Sequence, residues 1–198
     1  IKGCFNGVWG DEPNGINDLI VVRVADFNRH NRTVDLSNHT IRSIEPSARS
    51  NRVLQKNDLL IEKSGGGDNQ PVGMVVIYDS EKPAVCSNFV ARMPVAEGFD
   101  PYFINYLHQA IYATRLQIKS IKQSTGIQNL DSSSYLDELA PYPPFLEQIA
   151  IREFLISKCG RFDALLNKTN RSIELLREHR SALITAAVTG KIDVRISK

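Results

Sequence analysis

Three prolines stand in four positions at Pro141-Tyr142-Pro143-Pro144, and then no proline follows from Phe145 to Val188. Proline lacks the amide proton and disfavours helix in the residue before it, so the chain must run extended up to Pro144. Beyond that stop the composition turns to Leu, Ile, Ala, Glu and Arg, residues typical of long helix. On heptads, Leu155, Cys159, Phe162, Leu166, Thr169, Ile173, Leu176, Arg180, Leu183 and Ala187 alternate steps of four and three, and eight of the ten are apolar or Cys. A helix of about 43 residues would be about 65 Å long, several turns more than a small domain is wide. Its stripe cannot be buried on one small body, so it predicts a partner helix. The seam residues are Leu155, Phe162, Leu166, Ile173, Leu176 and Leu183, with Thr169 and Arg180 weakening the seam while serving register. Gly160 costs up to about 1 kcal/mol against Ala. A helical hairpin would have to turn at Lys158-Cys159-Gly160-Arg161, and the continuous helix is the stronger reading.

Upstream, the pattern is short β-branched runs between turn formers. Strands are expected at 19–24, 58–62, 73–78 and 84–93, separated by turn clusters at 28–31, 57–58, 64–71 and 79–83. At Asp100-Pro101 the period changes. Phe103, Leu107, Ile111, Thr114, Ile118 and Ile121 recur every three or four residues, with Asp100 as N-cap and Pro101 at the first helical position. This predicts one amphipathic helix of about five or six turns, then loop chemistry over 124–144. The fold class is α+β: a β-rich body with an amphipathic helix over 1–144, then a long coiled-coil-forming α-helix over 145–198.

Cys4, Cys86 and Cys159 are odd in number and far apart, without metal spacing, which points to free, mostly buried thiols and a cytoplasmic setting. No apolar run reaches the length of a membrane span, so no membrane partner is expected. A chain that starts at Ile1 without Met reads as a piece of something longer.

No catalytic or metal constellation appears. His30, His39, His108 and His179 are scattered among unlike elements. Ser64-Gly65-Gly66-Gly67-Asp68 lacks the flanking residues of a phosphate loop and reads as a flexible turn able to approach a ligand backbone. Tyr142-Pro143-Pro144-Phe145 resembles the Pro-Pro-aromatic motif of DNA amino-methyltransferases, but Tyr142 is a poor substitute for the acceptor required there, and no S-adenosylmethionine loop accompanies it.

Binding remains, and the charge distribution bears on it. The net charge is +2, which argues for no particular partner. Residues 1–144 hold 14 basic and 16 acidic residues, whereas 145–198 hold 10 and 6. Within the acidic body, Arg29, Arg32, Arg42, Arg49 and Arg52 cluster among histidines and asparagines, side chains suited to phosphates and purine edges. Lys63 adjoins the glycine turn. Arg115, Lys119 and Lys122 would share one face of the amphipathic helix, continued by Gln123, Ser124 and Thr125. Either cluster alone reads as a solvated face. Together they predict a polarised surface with the acids elsewhere, and all nine cations are candidate DNA contacts.

Taken whole, the chain resembles one half of the DNA-specificity subunit of type I restriction–modification systems. The resemblance is carried by 21–28, by 54–61, by Ser124-Thr125-Gly126-Ile127-Gln128-Asn129-Leu130, by 143–150 and above all by the tail from Ile173 to Lys191. It implies a target recognition domain that reads one half of a split duplex target, and a conserved helix that pairs with that of a second recognition unit or a second copy. It also implies docking of methyltransferase subunits and of a restriction/translocase subunit. S-adenosylmethionine would then sit on the methyltransferase subunit and no cofactor on this chain, which would be a non-enzymatic, C-terminal half. The alternative is the DNA-recognition end of a fused methyltransferase or nuclease, and a third reading is a coiled-coil adaptor without DNA affinity.

Overall fold

The computed structural model describes residues 1–123, 126–193 and 195. Ser124 and Thr125 of the expected polar loop therefore lie outside the described residues. In chain order the strands are β1 (Phe5–Asn6), β2 (Asp18–Val22), β3 (Phe27–Asn28), β4 (Thr33–Val34), β5 (Thr40–Ser43), β6 (Asp58–Glu62), β7 (Ser64–Gly65), β8 (Val75–Tyr78), β9 (Ala84–Cys86) and β10 (Val90–Met93). Helix α1 (Pro101–Ala113), β11 (Ile121–Gln123), β12 (Gln128–Leu130), α2 (Ser132–Leu136) and α3 (Phe145–Val188) follow.

The largest sheet runs β1-β10-β6-β8-β4-β3, and two three-stranded sheets run β5-β2-β9 and β11-β12-β7. Pairing is antiparallel except β2 with β9 and β4 with β8. Strand β6 is buried at every position, which fits its continuous Leu59-Leu60-Ile61 run with sheet partners on both sides. One of its faces packs Leu59 and Ile61 with Phe103, Ile104 and Tyr135; the other packs Leu60 with Val22, Val76 and Tyr78.

Helix α1 starts where the sequence indicates. The Asp100 carboxylate accepts from the Phe103 amide at 2.8 Å, satisfying one of the open donors of the first turn. The helix ends sooner than expected, at Ala113. The Thr114 hydroxyl donates back to the Ala110 carbonyl, Arg115 takes a left-handed φ of 58°, and a short 3-10 turn over Leu116–Ser120 leads into β11. Two further expectations change. Residues 121–130 form a hairpin rather than loop, because β12 finds β7 as its other neighbour, and Ser87–Phe89 divide 84–93 into β9 and β10.

The chain forms two units, Ile1–Arg152 and Glu153–Lys198, so the boundary falls about two turns inside α3 rather than at its start. In the first unit, Gln148 is buried in the opening turns of α3, where its Nε2 donates to the Pro143 carbonyl and its Oε1 accepts the Asp100 amide, both at 2.9 Å. The Arg152 guanidinium adds an ion pair to the Asp100 carboxylate at 2.5 Å. In the second unit α3 runs on without a break at Gly160. Among the described residues no helix is long and apolar enough to cross a membrane. The three cysteines are free, and only Cys86 is fully buried, its thiol pushed up to about 12 by desolvation; Cys159 is exposed, against the expectation of mostly buried thiols.

Candidate nucleic-acid interface

The two basic clusters become four separate settings. Arg29 and Arg32 belong to the turn joining β3 to β4, which Asn28 shapes by accepting the amides of His30 and Asn31 with its side-chain oxygen. Arg29 lies 3.5 Å from the buried Glu62 carboxylate and donates to Met74 Sδ. Arg32 has φ 57°, and its guanidinium carbon sits 5.5 Å from the centre of the Tyr112 ring. Burial lowers the pKa of Arg32, and its Nε and Nη1 have no hydrogen-bond partner.

Arg42 and Arg49 hold the β5-β2-β9 side. Arg42 lies over the Trp9 ring at 4.7 Å and pairs with Glu12. Arg49 donates to the carbonyls of Ile44 and Asn17. Arg52 and Lys63 converge on Asn6, Arg52 donating to its carbonyl and Lys63 to its side-chain oxygen at 2.6 Å. Hydrogen bonds to main-chain carbonyls tie loops together, so Arg49 and Arg52 are held as structural residues.

Arg115, Lys119 and Lys122 do not share a helix face, because α1 has already ended: they lie before, within and after the 3-10 turn. Lys119 pairs with Glu138 at 3.8 Å and Lys122 with Asp131 at 2.6 Å, and the Lys122 contact is the first cause of the lowered Asp131 pKa. Acids are therefore interleaved with the cations rather than set apart from them. All three basic side chains remain exposed, which keeps them accessible to phosphates.

Sequence reasoning passed over a cleft of about 600 Å³ lined by residues including Trp9, Arg23, Glu62, Gly65, Ser87 and Phe89. Two signals were legible: Glu62, a charge closing the apolar run of β6, and the Ser64-Gly65-Gly66 run read as able to approach a ligand, which lines the cleft. Desolvation raises the Glu62 pKa against the opposing pull of Arg29. No group of three or more His, Cys, Asp or Glu suited to a metal occurs among the described residues.

In the second unit the seam residues Phe162, Leu166, Ile173, Leu176 and Leu183 are exposed, Phe162 by 64% and Leu176 by 68%, while Leu155 is half-buried. Leu165, Leu175 and Ile184 are also exposed, so the apolar band is wider than a strict heptad seam.

This α+β body with its long helix has the fold of the type I restriction–modification proteins of known structure. It aligns with a chain from the structure of complex assembly and conformational transition of the type I R-M system at a TM-score of 0.64 and 15% identity, covering 93% of this chain and 45% of that one. With the HsdS subunit from Thermoanaerobacter tengcongensis the values are 0.51 and 16%, covering 84% and 37%. By sequence, the chain is a relative of the type I restriction enzyme EcoBI specificity subunit of Escherichia coli, 29% identical over 116 residues that make up 59% of this chain and 24% of that protein. The chain thus spans about a quarter of the curated relative, and no protein-family model matches it. The specificity-subunit resemblance read from the residues holds.

Proposed function

We propose that this chain is a non-catalytic DNA-recognition module of a type I restriction–modification system, in which the body reads one half of a split duplex target. The observation that supports this reading is the sequence relationship to a curated specificity subunit, joined to the matching fold. Exposed cations at Arg115, Lys119 and Lys122 supply sequence-independent phosphate contacts, and α3 offers its apolar band to the helix of a second recognition unit or a second copy. Methyltransferase and restriction/translocase subunits dock on the resulting assembly. Methyl transfer and its S-adenosylmethionine reside on the methyltransferase partner.

The test is selection from a pool of random duplexes with the purified chain. Enrichment of one short sequence, with affinity that falls linearly as log salt rises, is the expected outcome. A chain with no salt-dependent duplex affinity would be an assembly adaptor instead.

A further inference from the structure

The Trp9–Glu62–Phe89 cleft has a buried carboxylate in its wall. Glu62 is 3% exposed; its Oε2 is turned to the Arg29 guanidinium at 3.5 Å, and its Oε1 is turned to Gly65 of the cleft wall, 4.0 Å from where a Cβ on that glycine would stand. A carboxylate oxygen turned to a cleft and withdrawn from bulk water favours an occupant that donates N–H. The flanking residues restrict what that occupant can be. Arg23 lines the same cleft but is paired with Asp26, and Arg29 already offsets the Glu62 charge, so no negative charge is left over to hold a further cation and a neutral donor fits. Trp9 and Phe89 contribute aromatic surface, and Phe89 is more than half exposed in the turn between β9 and β10. A cleft of about 600 Å³ has room for one planar ring system and its sugar, and is far too small for a stacked duplex.

A flat, neutral molecule with an N–H edge, met by a DNA-reading domain, is a nucleobase taken out of its stack. Building on the DNA reading above, we propose that this cleft takes one unstacked nucleobase bearing an exocyclic amino group, which donates to Glu62 while the ring lies against Trp9 or Phe89. Adenine, cytosine and guanine carry such a group. Thymine does not: its one ring N–H on the pairing edge is flanked by two carbonyl oxygens, which would be brought against the carboxylate.

Trp9 is the single tryptophan of the chain, so its fluorescence reports this cleft alone. The full chain is titrated with deoxyadenosine, deoxycytidine, deoxyguanosine and thymidine monophosphates. Saturable quenching by an amino-bearing nucleotide, about tenfold tighter than by thymidine monophosphate, is expected for one good polar contact to a base. Glu62→Gln should narrow that preference several-fold. Ala25→Phe, at an exposed lining residue, should abolish saturation by filling the cleft. Quenching that is equal for thymidine monophosphate, that never saturates, or that survives Ala25→Phe would overturn the proposal. Random-duplex affinity measured on the same preparations separates the two readings. Duplex binding without saturable quenching removes the cleft alone, and saturable quenching without duplex binding removes the DNA reading alone.

Discussion

The backbone amide of Asp100 donates to the side-chain oxygen of Gln148 at 2.9 Å, so the residue that caps α1 is itself bonded to the opening turns of α3. The Gln148 amide nitrogen donates in turn to the Pro143 carbonyl, and the whole side chain is buried. This relationship makes the proline-rich connection and the first two turns of α3 part of the body.

Gln148→Ala should therefore destabilise the body rather than only fray a helix end. It strips partners from two polar backbone groups at once, for an expected loss of about 2–3 kcal/mol. The measurement is a lower urea midpoint at an unchanged slope. A variant as stable as the parent would mean that water replaces the amide without cost.

Neutralising Arg115, Lys119 and Lys122 together tests the phosphate contacts. Three free cations would each contribute about one to the salt slope of duplex binding. Lys119 and Lys122 already have carboxylate neighbours in Glu138 and Asp131, so the slope should fall by only about one to two. Affinity should weaken uniformly across sequences. An unaltered slope would show that these cations are mere solvation.

These ion pairs also mark the limit of what the sequence discloses. The strand at 58–62, the Asp100 cap and the helix starting at Phe145 were legible because each rests on local chemistry: an apolar run, a side-chain acceptor before Pro101, a proline stop. The end of α1 was not legible. Ile118 and Ile121 continue the helical spacing, yet the helix has closed at the left-handed Arg115, leaving Ile118 exposed, Ile121 in a strand and Gln117 buried beneath Gly73. At Gly73, with φ 101°, a Cβ would come within 2.8 Å of the Gln117 side chain. Likewise, the five arginines of 29–52 form a cluster only along the chain, since their partners, Glu62, Tyr112, Trp9, Asn17 and Asn6, come from distant segments. Local pattern reports which residues are cationic, and non-local packing decides which carbonyl or ring receives them.

The apolar band of α3 leads to a prediction about assembly. Leu166→Glu with Leu176→Glu places charges at two exposed seam positions that support no core of the body. In sedimentation, the parent chain should self-associate with rising concentration and the double variant should remain monomeric, with unchanged near-ultraviolet dichroism from the body. A parent that stays monomeric at high concentration would show that a second identical helix is not an adequate partner.

His108 sets a pH dependence of folding. It is almost fully buried on α1, its Nδ1 shares a 2.7 Å hydrogen bond with the Tyr135 hydroxyl, and desolvation holds its pKa down to about 4. Above the ordinary value of about 6.5 both folded and unfolded states carry a neutral ring, and the full stability contribution is present. As pH falls below that value the unfolded chain takes up the proton and the folded one does not, so stability declines until about pH 4, by on the order of 3 kcal/mol in total. Replacing both partners, His108→Phe with Tyr135→Phe, removes the titrating ring without orphaning the hydroxyl. Carboxylates titrate in parent and variant alike, so the difference between their urea stabilities isolates the histidine. That difference should move against the parent as pH drops from about 7 to about 4.5, and a constant difference would show that the buried ring is not the group responsible.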